Sequence, residues 1–225
     1  METDALLLYC VPPMLPIRDV IPSRTTPGIT LLLIALNVLV FVVTLVAPNA
    51  SAHALIPVPA PDAGLTDHLD LWLRETISLF RHSGFVHLAG NLAALWLFGE
   101  NVEDRFGHLR FLLCYLVLGY AAALAEFWLV PSPAAPLIGA TAAIAGIAAA
   151  YLVMFPRSRL LSIVPTGVPP TLIELPAAGV AAAWFLLQVA RGTGPLTLFV
   201  GAAGGVLAAW VLQRPERQRV EWWAE

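Results

Sequence analysis

The sequence predicts an all-α, polytopic membrane protein: a bundle of six transmembrane helices with both termini on the cytoplasmic side. Three observations carry that expectation. First, 59% of the 225 residues are hydrophobic and 12% charged, with a mean hydropathy of +0.79. A soluble domain holds about 45–50% apolar and about 25% charged residues, and must also cover its outside with polar groups. Second, the chain contains a series of apolar runs near the roughly 20 residues a helical span requires. Third, the arginines fall mostly into alternate connections, as the positive-inside bias demands. With the N-terminus inside, the cytoplasmic segments hold Arg18, Arg24, Arg105, Arg110, Arg157, Arg159, Arg214, Arg217 and Arg219, and the outer segments only Arg74, Arg81 and Arg191. A net charge of −3 offers no basic face to a nucleic acid, so none is expected as a partner. Two cysteines, Cys10 and Cys114, are read as free thiols rather than a disulfide scaffold.

Residues 1–26 read as a cytoplasmic tail. Ala5–Cys10 is apolar but has no basic residue before it and no cleavage site, so it is not read as a signal peptide. The membrane domain is placed at 27–212. No Asp, Glu, Lys or Arg occurs between Arg24 and Asp62, and Pro27–Ala47 is the first span. The connection 48–84 is the longest, with a Pro/Ala-rich half (IPVPAPDAG) and an amphipathic half (LDLWLRETISLF) expected to lie in the interface. The second span, Phe85–Gly99, is short and polar on one face. Leu109–Val130 is the third, with Glu126 near its end. Leu137–Phe155 is the fourth, rich in small residues. Thr171–Ala190 is the fifth, with Glu174 near its start, and Pro195–Leu212 the sixth. Residues 213–225 form a second cytoplasmic tail.

Two spans carry small residues at helical spacing. Gly139, Ala143 and Ile147 recur every four residues in the fourth, as do Ala142, Gly146 and Ala150, and Gly201 and Gly205 make a G-x-x-x-G step in the sixth. Such faces let backbones approach closely in lipid. At 1.5 Å rise per residue, Thr141 and Ala202 lie at depths of roughly 6 and 10 Å from the outer ends of their spans.

The second span contains His87 and Asn91, four residues apart and so on one helix face. Polar groups in lipid are costly without partners. Three readings are open from the residues alone. A metal site lacks a third ligand and the zinc-enzyme spacing, so no metal is expected. A hydrogen-bond knot would fasten the span. A pair of N–H donors would stabilise a developing oxyanion in a dry site. His82 precedes His87 by five residues, and Ser83-Gly84 reads as the turn leading into the helix.

These stretches resemble the rhomboid intramembrane serine proteases over most of the chain. PIRDVIPSRTTPGITLLLIALNVLVF is similar to the start of the first helix of bacterial rhomboids. LWLRETISLFRHSGFVHLAGNLAALWLFGENVEDRFG resembles their first-loop and second-helix signature, with the loop histidine, the H-x-x-x-N pair, the F-G and the V-E-x-x-x-G. PLIGATAAIAGIAAAYLVMFPRSR resembles the helix bearing G-x-S-G, ELPAAGVAAAWFLLQ the fifth helix, and GAAGGVLAA the last, where the family reads A-H-I-G-G-x-x-A-G. The resemblance before Pro16 begins near Met14, which leaves the true start open between Met1 and Met14.

The resemblance implies a Ser–His dyad between the fourth and sixth helices that cuts transmembrane helices near the outer side. It places His87 and Asn91 on oxyanion positions and His82 on the first-loop histidine. The nucleophile position reads Thr141 within Gly139-Ala140-Thr141-Ala142, and the base position falls on Ala202. The five histidines (His53, His68, His82, His87, His108) all precede Thr141, so no shift of alignment restores a sixth-helix base. An alcohol needs a neighbouring base to become a nucleophile, and a threonine methyl stiffens χ1 and crowds the approach. Glu126 is the only other carboxylate at a suitable depth, and Glu174 lies too deep.

The expectation is therefore a pseudoprotease that binds transmembrane segments of client proteins, in contact with the lipid bilayer and without a cofactor. The alternative is an active endopeptidase using Thr141 as nucleophile. A transporter or channel is disfavoured, because no charged path crosses the spans. A bacterial inner membrane is the expected location.

Overall fold

The computed structural model describes residues 15–21, 23–47, 76–129, 139–164 and 171–213. Both tails beyond these, most of the first connection and Cys10 lie outside the described residues; of the amphipathic half-loop only residues 76–80 are described, a helical turn at 76–78 and a further turn after it.

Helix α1 spans Gly28–Val46. Its first turn is capped from a distance: the Glu103 carboxylate accepts the backbone N–H groups of Ile29 (2.9 Å) and Thr30 (2.8 Å) and the Thr30 hydroxyl (2.7 Å). These N–H groups have no intrahelical partner, and a carboxylate there also meets the positive end of the helix dipole. Helix α2 spans Phe85–Phe106, running well past the expected end at Gly99. Beyond Gly99, Asn101 and Glu103 are buried and satisfied, Asn101 by Asp19 at 2.6 Å. Gly107, at φ 84°, breaks the chain in the left-handed region glycine tolerates. Helix α3, His108–Leu129, follows directly.

Helix α4 spans Thr141–Met154, with every residue from Thr141 to Tyr151 buried. It is the axis of the bundle, and its small side chains are what allow it to be surrounded. Helices α5 (Ala177–Ala190) and α6 (Pro195–Leu212) complete the bundle. A Cβ built on Gly205 would stand 1.9 Å from the Gly146 carbonyl oxygen, and one on Gly201 2.1 Å from that of Ala142. The two G-x-x-x-G and small-residue faces therefore meet backbone to backbone, α4 against α6.

Expectation and structure part over the all-α class. Leu15–Asp19 (β1), Arg159–Val164 (β2) and Thr171–Pro176 (β3) form an antiparallel sheet in the order β1-β2-β3. Leu15 faces Ile163 and Asp19 faces Leu160, with an irregularity between Pro16 and Arg18; Pro16 has no N–H to give the ladder, which an edge strand tolerates. Leu160, Ser162 and Val164 point inward in alternation. The tail thus contains a strand, and the first six residues of the expected fifth span are β3. Helix α5 starts only at Ala177, and Glu174 lies exposed on β3, 3.7 Å from Arg159. Asp19 ties the sheet to the bundle: its carboxylate accepts from Asn101 of α2, the Tyr151 hydroxyl of α4 and the Ile21 N–H.

Among the described residues, three helices, Gly28–Val46, His108–Glu126 and Pro195–Leu212, are long and apolar enough to cross a membrane; Thr141–Met154 and Ala177–Ala190 are shorter apolar helices. Large apolar side chains on the outer surface, such as Leu39 and Val46 on α1 and Phe199, Leu207 and Trp210 on α6, are exposed. An apolar exterior of this extent fits a lipid surround.

Candidate functional site

The site lies where the first turn of α4 meets the start of α2. Gly139, at φ 105°, and Ala140 lead into α4, and the Gly139 N–H donates to the Ser78 carbonyl at 2.9 Å. A side chain at Gly139 would press on the Arg81 carbonyl oxygen (3.0 Å) and on His87 Cε1 (3.1 Å). Glycine is required there for its backbone angle and for space. Thr141 is then the first helical residue, 3% exposed, with its hydroxyl directed at α2.

Two side chains of α2 reach that hydroxyl. His87 Nε2 is 3.0 Å from Thr141 Oγ1, and Asn91 Nδ2 donates to the same oxygen at 3.2 Å. Asn91 Nδ2 also lies 3.1 Å from His82 Nε2. His82 reaches this point because α2 starts only at Phe85, so residue 82 lies in the preceding turn and folds back, edge-on to His87 with ring centroids 5.0 Å apart. From α5, Gln188 Nε2 donates to Asn91 Oδ1 at 2.7 Å, and Trp184 Nε1 donates to the Gly90 carbonyl at 3.0 Å. Ser83 completes the group, its N–H and hydroxyl lying 3.4 and 3.1 Å from His87 Nδ1.

The backbone partners select one direction for each bond. The Phe80 carbonyl can only accept, so His82 Nδ1 carries the proton (3.2 Å) and its Nε2 accepts from Asn91. The Ser83 N–H can only donate, so His87 Nδ1 accepts and its Nε2–H donates to Thr141. In this tautomer Thr141 Oγ1 accepts two hydrogen bonds, and no described side chain other than His87 and Asn91 reaches it. Burial, and then the charge of neighbouring His87, hold His82 down at a pKa of about 4, against a smaller upward pull from the Phe80 carbonyl. His82 is therefore neutral at pH 7, as its acceptor role requires.

Ala202 lies on α6 next to Gly201, whose close approach to the Ala142 carbonyl brings this turn of α6 beside the first turn of α4. Its methyl group neither donates nor accepts. Glu126 is turned away from Thr141: its carboxylate accepts from the Thr197 hydroxyl at 3.1 Å and borders Gly194, closing the first turn of α6. Glu174, on β3, is at the opposite end of α4.

Sequence reasoning did not single out Ser83 as a partner of His87, nor Gln188. Ser83 was read only as a turn residue. Gln188 is 2% exposed within the run WFLLQVA, and a lone carboxamide in an apolar helix is itself a sign of a buried partner.

Residues 70–215 match the Rhomboid domain family. Among curated proteins, the chain is 33% identical over 145 residues to "Rhomboid protease GluP" of Bacillus subtilis, covering 63% of this chain and 28% of that protein. It is 30% identical over 118 residues to "Rhomboid protein 1, mitochondrial" of Saccharomyces cerevisiae, covering 50% and 31%. It is 33% identical over 95 residues to "Rhomboid protease AarA" of Providencia stuartii, covering 36% and 34%. The matched stretches thus span about a third or less of these relatives' own length.

Proposed function

The chain belongs to the rhomboid family, and on that premise we propose that it is a six-span pseudoprotease of a bacterial inner membrane, both termini cytoplasmic, which holds transmembrane segments of client proteins without cutting them. The observation that carries the proposal is the state of the Thr141 hydroxyl. It receives hydrogen bonds from His87 Nε2 and Asn91 Nδ2 and has Ala202 at the position where the family keeps its base. A hydroxyl becomes nucleophilic when a base accepts its proton; two donors pull the other way, lowering the electron density on the attacking oxygen. The two N–H groups that would otherwise point at an oxyanion are already spent on Thr141. Buried polar side chains that satisfy one another in this way stiffen the pocket, and a stiff pocket beside lipid suits holding a helix better than turning over a peptide bond.

One observation favours the alternative, an active endopeptidase. His87 is within hydrogen-bond reach of Thr141 and has a hydroxyl, that of Ser83, on its second ring nitrogen. In the opposite tautomer, with Nδ1–H donating to Ser83 Oγ, Nε2 would accept the Thr141 proton. That tautomer gives up the Ser83 N–H bond to the ring.

Cleavage of a test transmembrane substrate in proteoliposomes distinguishes the two. The wild type is compared with Thr141→Ala and with a triple variant, Thr141→Ser, Ala142→Gly, Ala202→His. The pseudoprotease reading expects cutting by the triple variant alone. Cutting by the wild type that Thr141→Ala abolishes would overturn it in favour of a threonine nucleophile.

A further inference from the structure

A cavity of about 660 Å³ lies between the turn that follows α4 and the residues that follow β1. Helix α4 is 14 residues long, so the cavity stands roughly 20 Å from Thr141, at the other end of the helix. One wall is apolar: Val20, which is half exposed, with Ile21, Phe155 and Pro156. The other is polar: Arg157, Ser158 and Arg159. Among the described residues no carboxylate lines it. Behind Phe155, the Arg105 guanidinium of α2 lies 5.6 Å from the ring centroid, which sets a third cation against the apolar wall.

The polar wall has a definite sense of hydrogen bonding. Tyr151 has one hydroxyl hydrogen and donates it to Asp19, so Ser158 is the donor to the Tyr151 oxygen, at 2.6 Å. Ser158 therefore has no proton left for a ligand, and its oxygen can only accept. The guanidinium groups on either side can only donate, and phosphate is the anion their fork matches. Arg157 and Arg159 are both exposed. Arg159 stands 3.7 Å from Glu174, in a pair that is itself half exposed; such a pair contributes little and yields to a better anion. The apolar wall adds a further requirement, which a free phosphate does not meet. Ile17 of β1 and Leu172 of β3 are also exposed at this end, so the apolar surface continues beyond the helices onto the sheet.

We propose that the cavity between β1 and the turn after α4 binds an anionic phospholipid whose head group carries a free hydroxyl, as phosphatidylglycerol does. Its phosphodiester would lie on Arg157 and Arg159, its head hydroxyl would donate to Ser158, and its glycerol backbone and acyl chains would run along Val20 and Phe155. Basic pockets at a membrane boundary are suited to such head groups. The bound lipid would join the turn after α4 to the strand β1, and it serves a client-holding protein and a cutting one alike.

The test uses the full chain in dodecyl maltoside micelles, titrated with phosphatidylglycerol, with phosphatidylmethanol (the same charge without the hydroxyls) or with phosphatidylcholine. Bound lipid is counted by native mass spectrometry. Phosphatidylglycerol should bind about tenfold tighter than phosphatidylcholine, with phosphatidylmethanol between them. Arg157→Gln together with Arg159→Gln should remove the preference over phosphatidylcholine. Ser158→Ala should remove only the difference between phosphatidylglycerol and phosphatidylmethanol. Val20→Trp, at a half-exposed position that tolerates bulk, should block the cavity and lower binding of both anionic lipids. Arg110→Gln, at an exposed arginine of α3 outside the cavity, should change nothing. Thermal unfolding of each variant separates loss of folding from loss of binding. Equal binding of the three lipids by the wild type overturns the proposal, and is the result expected if acidic side chains outside the described residues hold the arginines. An equal loss in Arg110→Gln overturns it in favour of diffuse surface charge, and full competition by inorganic phosphate in favour of a soluble anion. Arginine variants that lose stability yet keep the wild-type preference assign Arg157 and Arg159 to the negative end of the α4 dipole, and also overturn it.

Discussion

The backbone contact between α4 and α6 allows a graded test at single-methyl resolution. In Gly205→Ala the new Cβ would stand 1.9 Å from the Gly146 carbonyl oxygen and 2.5 Å from its carbon. Ordinary contact starts at 3.4 Å, so the helices must separate by about 1.5 Å at this level. Neither atom can rotate aside, because both are backbone. The separation would also loosen the Gly201–Ala142 contact one turn away, where a Cβ built on Gly201 would stand 2.1 Å from the Ala142 carbonyl oxygen. Overpacking of this kind costs about 3 kcal/mol. Gly204→Ala, on the next residue, meets only the Cδ2 end of Leu118, at 2.4 Å. That methyl can move by a χ2 rotation, and the cost should stay under about 1.5 kcal/mol. Gly179→Ala, inside α5, meets nothing within 4 Å; removal of a helical glycine should stabilise by about 0.5–1 kcal/mol. Reversible unfolding in mixed micelles by titration with sodium dodecyl sulfate, followed by circular dichroism, would measure all three. The reasoning is refuted if Gly205→Ala unfolds with the wild type, or if Gly204→Ala loses as much as Gly205→Ala.

Further outcomes follow from the buried polar groups. Glu103→Ala strips the acceptor from Ile29 N–H, Thr30 N–H and the Thr30 hydroxyl, and should destabilise by about 3–5 kcal/mol; hydrogen exchange at the first turn of α1 should speed up most. Asp19→Ala releases β1 from Asn101 and Tyr151, and its expected signature is loss of amide protection in β1 and β2 with the far end of α4 unaffected. The His82 pKa, lowered from 6.5 to about 4, makes stability depend on pH with a definite sign. A buried neutral imidazole contributes fully above pH 6.5, and the contribution falls away as pH drops toward 4, by at most about 3 kcal/mol. Unfolding measured between pH 7.5 and 4.5 should show this slope, and His82→Gln should flatten it. Gln188→Leu should free the Asn91 carboxamide oxygen and cost about 1–3 kcal/mol; unchanged stability would mean that His82 and Thr141 hold Asn91 without help from α5.

The helical bundle was legible because lipid demands length and apolarity at once, and Gly28–Val46 and Pro195–Leu212 fall within a residue of their expected spans. The sheet was not. PIRD, RLLSIV and TLIELP are short apolar runs that periodicity alone cannot divide between strand and buried helix. β1 also pairs with residues about 140 positions away, and such non-local pairing leaves no local signal. The length of α2 was hidden for a related reason: beyond Gly99 the residues turn polar, yet distant partners, Asp19 and the α1 terminus, bury Asn101 and Glu103. At the site, the i,i+4 spacing put His87 and Asn91 on one face. Their meeting with Thr141, and the grip of Gln188 on Asn91, depend on how three helices pack, which a single sequence does not state.

The sheet also orders events in time. β1 emerges from the ribosome before the other described elements, yet its partner strand β2 lies about 140 residues later. At roughly 5–20 residues per second, that interval lasts on the order of ten to thirty seconds. Throughout it, Asp19 lacks the Tyr151 hydroxyl that later satisfies it. The first of the described elements to be made is therefore among the last to be placed. Closure of β1 onto β2 cannot precede completion of α4, so protection of the β1 amides would mark, during biogenesis, the moment at which the fourth helix is in position.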